Sequence, residues 1–587
     1  MRLKRSGRIA ACTATALAAG MLLAGPASAD GAPKPTTELQ LPKVNMRGTG
    51  ALPKAAPTTG TQQKQNLQRS ADAPATATVG ASVKPRFDVD GDGSDDLLYR
   101  DLGGDHYLKK SSNPTAADET INVQKADYDE DFKDLIPAGD LNHNGYPELL
   151  QLSITGQLSM VEVASTYLTN GVTWSSRGWN AYNKLIAAGD MTGDGNPDLL
   201  ARTHGGALYL YPGTGRAGTD TPYGDRIQVG SGWGKFDQII GGADYNADGI
   251  ADVLATAPTG EMFFYAGTGN INSPFADGVQ NGMGWTIYNQ ISPLVDGDGK
   301  TWVLARELSG TSYLYPSLGN GQLGDRLKFG TNWEYTSLLA GQGAIAAHGK
   351  GEVLGRSGSS LYGYVGKQNG NFADRFLIGE GGDFPSEFGL TLTSSMNKEN
   401  AGDLLITYNG VLYGPQGEIG GGWDIYKSLL GVGDLDNDGY GDLLALDKSD
   451  VLWMYPSQGN SHNFASRIRV GGGWGIYNKL LGAGDITGDG RADLVVRGTD
   501  GALWVYPGTG SGTAPLTDRV KIGSGGWNGF NKLAAVGDIT GDGRGDLMGV
   551  DSSGTAYRYS PTGLQGLNTF SGRGTIGTGW NTYGQLF

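Results

Sequence analysis

A unit of about 50 residues recurs along this chain, and that recurrence restricts its fold more than any other feature. Residues 178–215 read GWNAYNKLIAAGDMTGDGNPDLLARTHGGALYLYPGTG, and residues 473–510 read GWGIYNKLLGAGDITGDGRADLVVRGTDGALWVYPGTG. Residues 526–563 are a third copy. With the acidic loops in register, ten units start near positions 88, 140, 190, 244, 296, 343, 395, 434, 485 and 538. Those near 296, 343 and 395 are degenerate. Each unit holds four short apolar or alternating segments rich in aromatic and β-branched residues, separated by Gly, Asp, Asn or Pro. That pattern spells strands and turns, with no competing 3.6-residue period. Four antiparallel strands in such a length make one propeller blade, so the expected fold is an all-β β-propeller of about ten blades.

The repeat region opens on the loop at Asp88, without a preceding W-x-x-Y strand, and the chain ends in that strand, GWNTYGQLF, at 579–587. The last strand is therefore expected to complete the first blade and leave no unpaired edge. This favours one closed ring; the degenerate middle units leave two smaller rings open.

Before the repeats lie two other segments. Residues 1–29 carry Arg2, Lys4, Arg5 and Arg8, a weakly apolar run and Ala27-Ser28-Ala29, which reads as an export signal. Residues 30–84, rich in Ala, Pro, Thr, Gln and Lys, read as a disordered linker or propeptide, and the repeat domain spans 85–587. The single cysteine, Cys12, falls in the signal, so the exported chain has neither a disulfide nor a thiolate nucleophile. An extracellular, secreted protein is expected, with no later segment apolar enough to insert in a membrane. Without the signal, 41 basic residues face 60 acidic ones. Such a chain lacks the basic footprint that nucleic acid requires.

Much of that acid sits in the repeated loop D-x-D/N/T-x-D/N-G-x-x-D/E. Its seven intact copies are Asp88, Asp90, Asp92 and Asp96; Asp140, Asn142, Asn144 and Glu148; Asp190, Thr192, Asp194 and Asp198; Asp244, Asn246, Asp248 and Asp252; Asp434, Asp436, Asp438 and Asp442; Asp485, Thr487, Asp489 and Asp493; and Asp538, Thr540, Asp542 and Asp546. Calcium takes six to eight oxygen ligands, and alternate side chains of a tight loop converge on one point. A glycine at the sixth position permits the turn, and the ninth residue supplies a closing carboxylate. Strands flank the loop, so it is not an EF-hand. About seven Ca2+ sites are expected, acting as structural staples and not as catalytic centres.

This loop, set in a W-x-x-Y/F-N-K-L…Y-P-G-T-G unit, resembles the FG-GAP/VCBS repeats of bacterial secreted proteins and integrin α-chain propellers, over about residues 88–587. The resemblance implies calcium at the intact loops. Near 296, Asp296 and Asp298 survive without the ninth-position acid; the next unit, GQGAIAAHGKGE, offers no usable ligand set; near Asn397 only Glu399 and Asp403 remain.

A G-W-x-x-Y/F element precedes most loops, at Trp179, Trp233, Trp285, Trp423, Trp474, Trp527 and Trp580, with a tighter variant at Trp333. Two readings stand: wedges between blades, or platforms for pyranose rings. The resemblance to calcium-containing lectin propellers supports the second and implies multivalent carbohydrate recognition. A protein-interaction scaffold with a secreted or cell-surface partner is the alternative. Polysaccharide lyases with similar repeats make an enzyme a third reading. However, His106, His143, His204, His348 and His462 share neither a repeat position nor a ligand spacing, and no nucleophile elbow occurs. Arg100, Arg202, Arg306, Arg356 and Arg497 recur after the second strand, where they are expected to pair with loop carboxylates of a neighbouring blade.

Overall fold

In a computed structural model of the chain, residues 49–53 and 83–587 are described, except 114–115, 124, 126–129, 165–170, 217–220, 344–350 and 400. The expected signal at 1–29 and most of the expected linker lie outside the described residues. The repeat region is all-β, built as ten four-stranded antiparallel sheets. In blade 3, Tyr182–Gly189, Asp198–Thr203, Leu208–Tyr211 and Ile227–Gly230 pair in chain order. The second strand is buried along almost its whole length, whereas Leu208–Tyr211 alternates buried and half-buried. Central strands covered on both faces need continuous apolar sequence, and strands nearer the rim need only period two. The first strand shifts register between Ala187 and Gly189. Such a bulge turns the chain into the acidic loop. Gly189 has φ +67°, and a Cβ there would lie 2.8 Å from Ala251 Cβ, so the bulge admits only glycine without strain.

The ten blades, numbered along the chain by their second strands Leu97–Asp101, Glu148–Ser153, Asp198–Thr203, Asp252–Thr256, Thr301–Glu307, Glu352–Ser357, Leu404–Tyr408, Asp442–Asp447, Asp493–Gly498 and Asp546–Asp551, fall into two groups of five, 1 to 5 and 6 to 10. Blade 1 consists of Leu97–Asp101, His106–Lys109 and Glu119–Ile121, and its first strand is Thr336–Leu339, with Tyr99 opposite Leu339. The C-terminal strand Gln585–Leu586 pairs with Glu352–Ser357, placing Leu586 opposite Gly355. The expected closure of the first blade by the C-terminus is thereby corrected: the chain returns to blade 1 after five blades and then starts a second series. Sequence could not separate the two arrangements, because Thr336–Leu339 and the C-terminal strand present equivalent edges to either partner. The degenerate unit expected near 343, without a usable ligand set, falls between Leu339 of blade 1 and Glu352 of the second series, and its residues 344–350 lie outside the described residues.

Apolar packing follows the same grouping. Blade 1 shares a buried cluster with blade 2 through Leu98, Leu108, Leu135 and Leu149. The series continues until blade 5 packs on blade 1 through Leu294, Leu304, Leu97, Tyr99 and Trp333. In the second series Met548 and Val550 of blade 10 pack on Val353, Tyr583 and Leu586 of blade 6. Each fully buried aliphatic side chain contributes about 1.5–3 kcal/mol.

The recurrent arginines hold adjacent blades together by a route the sequence did not suggest. Arg202 is 1% exposed; its Nε donates to Asn183 Oδ1 at 2.9 Å and its Nη1 to the carbonyls of Phe236 at 2.6 Å and Trp233 at 3.2 Å. Arg306, Arg356 and Arg497 do the same to the turns at 333–336, 385–388 and 527–530, and Arg100 donates to Phe132 O. Their main-chain partners are carbonyls of the turns that lead into the next blade, not the expected carboxylates, because such carbonyls would otherwise be buried without donors. Replacing Arg202 by Ala strands three acceptors, so Arg202→Ala is expected to destabilise the protein by about 3 kcal/mol or more. The urea midpoint, at unchanged slope, measures this.

The two series also touch. Asn183 Nδ2 and His204 Nδ1 lie 2.9 and 2.8 Å from Asp489 O, Asn180 Nδ2 donates to Asn437 O at 2.5 Å, and Arg544 pairs with Asp237 at 3.0 Å. The acidic loops of the second series thus rest against the Trp turns of the first.

Candidate metal loops and a repeated surface constellation

Main-chain amides account for much of the acid in the loops. Asp190 Oδ1 accepts from the amides of Gly193 at 2.7 Å and Asp194 at 3.2 Å, and its Oδ2 from Gly195 at 2.8 Å. Asp198 Oδ2 accepts from Met191 and Thr192, while its Oδ1 accepts from Gly213 beyond the third strand. Asp88, Asp140, Asp244, Asp434, Asp485 and Asp538 repeat the first pattern, and Asp252, Asp442 and Asp493 repeat the second. Asp546 cannot do so fully: Pro561 stands where Gly213, Gly267 and Gly508 donate, so Asp546 Oδ1 lacks its main-chain partner.

Packing acids this closely away from water disfavours their charged forms. Burial, reinforced by neighbouring loop acids, raises the carboxyls of Asp96, Glu148 and Asp252 to about 8 and that of Asp198 to about 7. Burial together with Asp434 and Asp436 pushes Asp442 well up; Asp493 and Asp546 are raised likewise by their own loop partners. A divalent cation offsets both the burial of charge and the repulsion between carboxylates.

The loops differ in how completely they gather oxygens. In two of them, Asp88 with Asp90 and Asp96, and Asp434 with Asp436 and Asp438, three carboxylates place an oxygen within 4.8 Å of one another. These all-oxygen sets fit a hard cation of the calcium type, and Asp436 Oδ1 is buried without a hydrogen-bond partner. Asp92 instead accepts from Ser111 Oγ at 2.8 Å. Among the described residues the remaining five loops do not gather such a carboxylate triad. Asn142 Nδ2 donates to Glu148 Oε1 at 2.6 Å, next to Asn144; Asn246 Nδ2 donates to Asp248 at 3.0 Å. Thr192, Thr487 and Thr540 lie 3.3–3.5 Å from the first aspartate of their loops. Arg491 and Arg544 reach Asp489 and Asp542 at 3.6 and 3.0 Å, bringing a protein cation into those loops. In the degenerate loops, Asp296 accepts from Trp302 Nε1 at 3.0 Å, and Asp403 from Met396 N and Ser461 Oγ.

The tryptophans are largely covered. Trp179, Trp233, Trp285, Trp474, Trp527 and Trp580 are 5–7% exposed, and Trp423 is half-buried. Each packs on a third-strand tyrosine, from 4.4 Å between centroids for Trp527 with Tyr559 to 5.0 Å for Trp179 with Tyr211. A ring enclosed in this way stiffens the blade and offers no open face to a pyranose.

A different constellation reaches solvent, and the sequence reading missed it. Exposed Arg226, Arg326, Arg375, Arg467, Arg519 and Arg573 precede the fourth strand of six blades. Each guanidinium lies 4.0–4.7 Å over a third-strand ring: Tyr209, Tyr313, Tyr362, Trp453, Trp504 or Tyr557. In five blades the arginine also donates to a tyrosine hydroxyl bonded to a second one, as Arg326 does to Tyr288 at 2.6 Å, with Tyr315 a further 2.6 Å away. The signal was present, as Asp-Arg at 225–226, 325–326, 374–375 and 518–519, but short of a structure nothing set it apart from ordinary surface charge.

FG-GAP-like repeats match residues 434–496 and 485–549. No curated protein matches the chain by sequence. Similar solved structures include an Agrocybe aegerita lectin described as recognising non-reducing terminal N-acetylglucosamine, at 14% identity over 78% of this chain and 92% of that one, TM-score 0.21. The BP39L lectin of Burkholderia pseudomallei is 14% identical over 68% and 99%, TM-score 0.21. BBS1N in complex with ARL6DN is 9% identical over 70% and 87%, TM-score 0.21. At such scores these likenesses carry no weight for function.

Proposed function

We propose that this FG-GAP-like repeat chain is a secreted, calcium-braced binding module that recognises carbohydrate at several equivalent surface positions. One observation carries the reading: the same guanidinium, aromatic ring and paired hydroxyls recur on the rims of both five-blade series. Sugars are bound by polar groups that read hydroxyls beside aromatic surface, and this unit supplies both. Repetition converts weak single sites into avidity, worth about 10²–10⁴ in apparent affinity when several engage together. Calcium, held by Asp88, Asp90 and Asp96 and by Asp434, Asp436 and Asp438, would supply charge compensation. The loops themselves fix the turns between first and second strands. Among the described residues no helix is long and apolar enough to cross a membrane.

A glycan array tests the reading. Binding to at least one glycan class is expected, weakened about 100-fold or more in a variant combining Arg226→Ala, Arg326→Ala, Arg467→Ala and Arg519→Ala. Failure of the wild-type protein to bind any glycan, with calcium present, would overturn it. A scaffold for peptide or protein partners is the second reading, favoured by the contact of residues 49–53 with blade 5.

A further inference from the structure

Residues 49–53 form an added contact on the outer edge of blade 5, next to Trp333. Thr49 N donates to Thr331 O at 2.8 Å, Thr331 N donates to Thr49 Oγ1 at 2.9 Å, and Trp333 Nε1 donates to Thr49 O at 2.9 Å. Gly50 follows at φ +131°, where a Cβ would stand 2.4 Å from Phe329 O, so only glycine fits this close approach. Leu52, 3% exposed, enters the cluster shared by blades 5 and 1. In blade 4 the corresponding space beside Trp233 is filled by Phe275, at 5.4 Å between centroids.

The receiving turn recurs. It reads G-T-N-W at 330–333, G-S-G-W at 230–233, G-M-G-W at 282–285, G-G-G-W at 471–474 and G-T-G-W at 577–580. The residue before each Trp is left-handed in the same way: Asn332 at φ 67°, ψ 18°, against Gly232 at 71° and 16°, Gly284 at 87° and 17°, Gly473 at 83° and 17°, and Gly579 at 87° and 5°. The main-chain amide of each Trp is already bonded across the blade, as Trp233 N is to Gly206 O and Trp333 N to Gly310 O, so it is not part of the opening. What differs is the indole. Trp333 is 1% exposed with its N–H satisfied, whereas Trp233, Trp285, Trp474 and Trp580 are 5–7% exposed and have no acceptor among the described residues.

We propose that these four turns are docking sites for an extended peptide carrying a Thr-Gly pair, the chemistry that Thr49 and Gly50 already present to the copy of the turn at 330–333. Each offers a main-chain carbonyl, a main-chain amide and an indole N–H, complementary to the amide, hydroxyl and carbonyl of threonine. Glycine must follow, because the carbonyl at the end of the fourth strand leaves no room for a side chain. The neighbouring space is already plugged, so the leucine adds little outside blade 5. This adds to the carbohydrate reading and uses none of its arginines.

The test uses full-length protein with ¹⁵N-labelled tryptophan, indole signals assigned by single Trp→Phe variants, and a synthetic peptide of residues 47–55. The indole signals of Trp233, Trp285, Trp474 and Trp580 should move saturably while that of Trp333 stays fixed. A peptide with Thr49→Val or Gly50→Val should bind at least tenfold more weakly. The proposal falls if none of the four moves, if the substituted peptides bind equally, or if N-acetylglucosamine moves the four and the peptide does not. Loss of glycan binding in the arginine variant leaves these outcomes untouched, so the two readings fail separately.

Discussion

Deleting residues 579–587 should unfold blades 6 to 10 and spare blades 1 to 5. The deletion removes Trp580, Tyr583 and Leu586, which are 6%, 2% and 9% exposed and lie between blades 10 and 6. Emptying three such positions costs about 8 kcal/mol or more, since a buried aromatic or leucine truncated to alanine alone costs about 2–5 kcal/mol. That loss rivals the whole stability of an ordinary domain, about 5–15 kcal/mol. Hydrogen exchange reads the result directly. Amides of Glu352–Ser357 should lose protection, while those of Leu97–Asp101, paired with Thr336–Leu339, keep theirs. The opposite pattern would mean that the C-terminal strand completes blade 1 and that the division into five and five is wrong.

The second large effect expected is on chelation. With free calcium at 100 times its dissociation constant, each occupied loop adds about 2.7 kcal/mol to the folded state. Each series has one loop that gathers three carboxylates, and for units of this size each kcal/mol moves Tm by about 2–4 °C. EDTA should therefore lower Tm by about 5–10 °C, and added calcium should restore it. Magnesium should restore less, because it demands octahedral geometry and sheds water reluctantly. The double substitution Asp88→Asn and Asp434→Asn should remove a substantial part of the shift, since these residues begin the two loops that gather three carboxylates. A Tm indifferent to EDTA would exclude the metal reading.

Strand content, blade number and loop positions were legible because each rests on local sequence: alternation, Gly at bulges, and Asp accepting amides within five residues. The pairing of distant ends was not. Thr336–Leu339 and Gln585–Leu586 are interchangeable as sequence, and only packing against Leu97 or Val353 tells them apart. The same limit explains the arginines. Arg202 and Arg226 both recur with the repeat, yet one is 1% exposed under the next blade's turn and the other lies on the rim over Tyr209. Within the loops, side-chain identity indicated oxygen donors but not their competition. Asp92 goes to Ser111, and Arg544 takes up Asp542.

The passage from one series to the other meets two strands of unequal standing. Thr336–Leu339 lies at the edge of its sheet, bonded only to Leu97–Asp101, whereas Glu352–Ser357 lies inside its sheet, between Ser360–Val365 and Gln585–Leu586. Tension applied from the segment that joins them has one ladder to break on the first side and two on the second. In an optical trap with one handle on that segment, blades 1 to 5 should therefore open first and at the lower force.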